Sequence, residues 1–102
     1  MALPAVQDQQ LAAALGRSES LGGLLQRVHE SKARLDAVSG LMPAGLRAAV
    51  RAGPLDEAGW QLLADHNAAA AKLRQLLPLL TQTLAAAGWA ERAIRVKVLP
   101  RV

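Results

Sequence analysis

The chain reads as a small α+β domain with elements in the order α-β-β-α-β, and three observations point there. Gly59 to Trp89 (GWQLLADHNAAAAKLRQLLPLLTQTLAAAGW) joins a short apolar-polar run to a long Ala/Leu helix. Ile94-Arg95-Val96-Lys97-Val98 alternates with a period of two, as a half-buried strand does. Ser20 to Ser39 keeps a helical period instead. A hairpin, a helix laid across it and a third strand make a small three-stranded sheet with helices packed on one face.

Length and composition bound the answer. The 102 residues leave room for one domain, here 20–102, preceded by an arm at 1–19. Hydrophobic residues make up 52% and charged ones 20%, a globular balance. Both aromatics are Trp, so the core is built from Leu, Val and Ala, and a homodimer that covers more apolar surface is one expectation. With no cysteine, disulfides and thiolate metal sites are excluded and a reducing compartment is expected. The first twenty residues lack a basic then apolar leader, and no apolar run reaches the roughly 20 residues of a bilayer span. A cytoplasmic chain without membrane contact is expected. Net charge is +4. That suits contact with nucleic acid, where each neutralised phosphate releases counterions, and it equally suits mere solubility.

In chain order, Val6 to Leu15 has the length of a short helix stopped by Gly16, or forms part of a frayed arm. Ser18 or Ser20 can cap the next helix, whose Leu21, Leu24, Leu25, Val28, Leu35 and Val38 share a stripe, with Gln26, Glu30 and Arg34 opposite. Gly40 ends it, and Pro43 opens a single helical turn. Ala48 to Gly53 reads weakly as a strand, Pro54 to Gly59 as turn chemistry, and Trp60 to Asp65 as the second strand, giving a hairpin with a loop of about five residues. Asn67 can cap the long helix, whose stripe is Ala69, Leu73, Leu76, Leu77, Leu80, Leu84 and Ala87. Pro78 removes one backbone donor and clashes with the Arg74 carbonyl, so a kink is expected there. Gly88 stops the helix, and Pro100 ends the last strand. The face of the sheet away from the helices then carries Arg51, Gln61, Leu63, Arg95 and Lys97.

Catalytic and metal chemistry find little support. His29 and His66 have no second imidazole or carboxylate at ligand spacing, and read as surface or capping residues. Gly40 to Arg47 mimics the glycine spacing of a phosphate loop but lacks the Lys-Ser/Thr pair that binds nucleotide. No serine has a nearby base, and the carboxylates are scattered. A chain without enzymatic activity, cofactor or metal is the expectation. The basic outward positions carry more weight: Arg51, Lys72, Arg74, Arg95, Lys97 and Arg101 are candidate nucleic-acid contacts. Alternating Arg and Lys also shield an edge strand from aggregation, which accounts for Arg95 and Lys97 equally well. Trp60 and Trp89 bracket the central unit; with Leu63 they are the candidate anchors for a partner.

The segments Trp60 to Asp65, Asn67 to Pro78 and Ile94 to Val98, together with Leu21, Leu24, Leu25 and Leu41-Met42-Pro43 upstream, resemble the DciA-like family over about residues 20–99. The resemblance implies a KH-like domain that assists loading of the replicative DNA helicase of DnaB type. It also implies contact with helicase and DNA and no ATPase of the chain's own. This sequence departs from the family pattern at Ala69, where many relatives carry Trp. Many relatives also have a basic extension outside the domain, whereas this sequence stops at Val102. The Gly-x-x-Gly loop of true KH domains is absent.

Overall fold

The computed structural model describes residues 20–100; the Val6 to Leu15 segment and Arg101 lie outside them. The elements are α1 (Leu21–Ser39), α2 (Ala44–Ala48), β1 (Val50–Asp56), β2 (Gly59–Ala64), α3 (Asn67–Ala86) and β3 (Ile94–Val98). The α+β class and the α-β-β-α-β order expected from the sequence are both present, with α2 as the extra helical turn. The sheet is mixed. β1 pairs antiparallel with β2, β2 pairs parallel with β3, and the strand order is β1-β2-β3.

α1 begins where Ser20 accepts a hydrogen bond from Gly23 N–H at 3.0 Å, one of the donors that a helix start leaves without an intrahelical partner. Its buried side is Leu24, Val28, Ser31, Arg34 and Val38. Arg34 was expected on the wet side and is instead 1% exposed. Ser31 earns its place in an apolar stripe by satisfying two buried groups. Its hydroxyl donates to Gly53 O at 2.6 Å and accepts from Trp60 Nε1 at 2.8 Å.

The hairpin differs from its expected form. β1 starts at Val50, because Ala48 belongs to α2, and it continues through Gly53-Pro54 to Asp56. The pairing slips between Ala52 and Leu55, so two residues of β1 bulge opposite β2. Pro54 is tolerated because β1 is an edge strand, where a missing donor breaks no ladder. The loop therefore shrinks from five residues to Glu57 and Ala58. Asp56 Oδ1 holds the turn by accepting from Ala58 N–H at 2.8 Å and Gly59 N–H at 3.2 Å.

His66, not Asn67, caps α3: Nδ1 accepts from Ala69 N–H at 3.1 Å. The helix runs on through Pro78 to Ala86. Gly88, at φ +89°, closes it in the left-handed region, with Gly88 N–H bonded to Ala85 O and Trp89 N–H to Leu84 O, both near 3 Å. Of the expected stripe, Ala69, Leu73, Leu80 and Leu84 are buried, Leu76 and Leu77 are half-buried, and Ala87 is exposed; Ala70 takes a buried place instead.

The core lies between α1, α3 and one face of the sheet. Trp60, Leu62 and Ala64 of β2 are fully buried there and meet Val38, Leu73 and Leu80. No helix among the described residues is long and apolar enough to cross a membrane.

Candidate nucleic-acid interface

The open face of the sheet follows from its register. Arg51 pairs with Leu63, and Leu63 with Lys97, so these three form one row across the strands. Gln61 and Arg95 form the next row. Side chains alternate along a strand, so all five lie opposite Trp60, Leu62 and Val96 and away from α1 and α3. Arg51, Arg95 and Lys97 are exposed, and Gln61 and Leu63 half-buried. All five residues expected on this face are thus found there, and Asp56 joins them in the row of Gly59.

Their partners differ. Arg51 Nε lies 3.3 Å from Asp65 Oδ1, an exposed ion pair that water screens strongly. Arg95 Nη2 donates to Ala58 O at 3.1 Å, which swings its guanidinium towards the hairpin turn. Lys97 makes no hydrogen bond or ion pair with another described residue. The surface is a basic patch around an apolar centre at Leu63, with Asp65 at the Arg51 margin. Such a surface can meet phosphates along a strand without reading bases, since its side chains offer charge and no aromatic platform.

The other expected contacts go elsewhere. Arg74 leaves the exposed side of α3 for the edge of β3, where Nη2 approaches Val96 O at 3.5 Å. Lys72 borders a groove of about 280 Å³ between α2 and the start of α3, together with Pro43, Gly45, Leu46, His66 and Ala69. The structure thus groups Arg51, Arg95 and Lys97 on one face, sets Arg74 at the β3 edge beside Val96, and leaves Lys72 at the groove by α2.

One of the three proposed anchors changes role. Trp60 is 0% exposed and its Nε1–H is used on Ser31, so it holds the core together and has no surface to offer a partner. Trp89 is half-buried, its ring 5.1 Å from the Arg34 guanidinium carbon. Arg34 also donates through Nε to Glu30 at 2.8 Å and through Nη2 to Ala90 O at 2.9 Å. This buried cation therefore fastens the connection after α3 onto α1. A cavity of about 290 Å³ opens beside it, bordered by Trp89, Arg92, Gln82 and Ile94. Leu63 and Trp89 both keep part of their surface in solvent. Sequence patterns gave no warning of Arg34, whose packing partner arrives far along the chain.

Among the described residues no cluster of His, Asp or Glu is placed to hold a metal ion. Compared with protein-family models, curated proteins and solved structures, the chain matches none significantly.

Proposed function

We propose that this chain is a non-enzymatic adaptor that binds DNA weakly and without sequence preference through the open face of its sheet. The observation that carries this reading is the grouping of Arg51, Arg95 and Lys97 in adjacent rows on the one sheet face that no described helix covers. Three cations at strand spacing suit a phosphate backbone, which carries the same charge whatever the base sequence. The resemblance to the DciA-like family extends the proposal: the partner served is a replicative helicase of DnaB type, and the work is done in the cytoplasm.

Fluorescence anisotropy with a labelled oligothymidylate tests the DNA part. Binding should weaken with salt at a log-log slope of about −2, the value for three phosphate contacts on a single strand. Arg51→Ala/Arg95→Ala/Lys97→Ala should flatten that slope towards zero, whereas an unchanged slope in the triple variant rules the face out. Retention of purified helicase on the immobilised chain at micromolar concentration tests the second part. Failure there, with the DNA result intact, leaves a plain nucleic-acid-binding module as the function.

A further inference from the structure

β3 is an edge strand, and its ladder to β2 fixes where its outer groups point. Trp60 N–H donates to Ala93 O and Leu99 N–H to Ala64 O, each at 2.8 Å, which brackets a parallel pairing. In such a pairing alternate residues turn towards the partner strand. Residues 93, 95, 97 and 99 therefore bond to β2. The N–H and C=O of Ile94, Val96 and Val98 point outward, away from every described strand. The one described side chain that reaches them is Arg74, through its long contact of 3.5 Å with Val96 O.

The two sides of this edge differ in kind. On the helix side Ile94, Val96 and Val98 are only half-buried, while their register partners Trp60, Leu62 and Ala64 are fully covered. Half-buried Leu77 stands one turn beyond Arg74 on α3. On the open side stand Arg95 and Lys97. A strand added here would set alternate side chains against apolar surface and against cations.

We propose that the β3 edge takes up an extended segment of a partner protein in which apolar residues alternate with Asp or Glu. It is added as a fourth strand, with Arg74 leaving Val96 O for an acidic side chain. Charge decides against a second copy of the chain as the occupant. A two-fold edge pairing runs antiparallel, and every face-aligned register that pairs two or more of Ile94, Val96 and Val98 sets Arg95 or Lys97 opposite Arg95 or Lys97 of the other copy. This site shares Arg95 and Lys97 with the DNA proposal and differs from it in depending on the backbone groups of the edge.

The test uses the full chain, an acetylated and amidated nonapeptide of alternating Val and Glu, and its Val-Lys counterpart. The acidic peptide should bind at least about ten-fold tighter and slow hydrogen exchange at the amides of Ile94, Val96 and Val98. Val96→Pro removes one outward donor and no ladder bond, so the fold tolerates it. It should weaken the peptide about ten-fold and move oligothymidylate affinity by less than about two-fold, since DNA would be held by side chains. Wild-type exchange unprotected at those three amides under saturating peptide would overturn the proposal. Full peptide affinity in a folded Val96→Pro would do the same, as would protection that grows with protein concentration alone. In the Arg51→Ala/Arg95→Ala/Lys97→Ala variant the preference for the acidic over the basic peptide should fall below about three-fold, because two of the cations the carboxylates would face are gone; a preference undiminished in that variant would also overturn the proposal.

Discussion

Ser31 shows how much one small side chain can decide. Its hydroxyl is the only described group that meets both the buried indole N–H of Trp60 and the Gly53 carbonyl inside the bulge of β1. Ser31→Ala leaves both without that partner, and should cost about 2 kcal/mol, read as a lower urea midpoint at unchanged slope. On a Trp60→Phe background the same change should cost clearly less, because the donor it strands is gone. Neither this role nor that of Arg34 was legible in the sequence. Both sit in a helical stripe where pattern reading expects apolar residues, and their partners come from β1, β2 and the segment after α3. Trp60 was open to a better reading. Alternation sets it with Leu62 and Ala64 on the covered side, so its use as a surface anchor ran against the strand's own period.

At the scale of elements, the joints carry the sharpest constraints. Gly59 begins β2 at φ +145°, and a Cβ there would lie 2.5 Å from Ala93 O, the acceptor of the first bond between β2 and β3. Gly59→Ala should therefore destabilise by about 3 kcal/mol or more and loosen β3 before the rest, seen as faster amide exchange at Arg95. Pro78 is the opposite case. It is exposed within α3, where it denies the helix one bond, so Pro78→Ala should raise stability by about 1–2 kcal/mol in thermal or urea unfolding. α3 and β3 were legible because their apolar residues keep one period, whereas in α1 Ser31 and Arg34 interrupt the buried stripe and Leu21 and Leu25 of the expected stripe stay exposed. β1 was not legible: Gly53-Pro54 looks like turn chemistry, and only its place at the sheet edge makes it strand. The cap of α3 fell to His66 over Asn67 for a similarly non-local reason, since the extended backbone that leads out of β2 ends one residue earlier than the local pattern implied.

Taken whole, the molecule sorts its surface by the two faces of one sheet. Apolar side chains of β2 are sealed under α1 and α3, and the cations of β1 and β3 are displayed on the other side. The pleat made that sorting readable from alternation alone. What stayed hidden was how the cations group, because Lys72 and Arg74 look equivalent in a one-dimensional pattern, and only docking of α3 sends Arg74 to the β3 edge and Lys72 to the groove by α2. The direct measurement is amide chemical-shift mapping of the labelled full chain during titration with unlabelled oligothymidylate at low salt. Shifts concentrated at Arg51, Gln61, Leu63, Arg95 and Lys97 are what the account predicts. Shifts confined to the Lys72 and His66 groove or to α1, with those five amides unmoved, would contradict it.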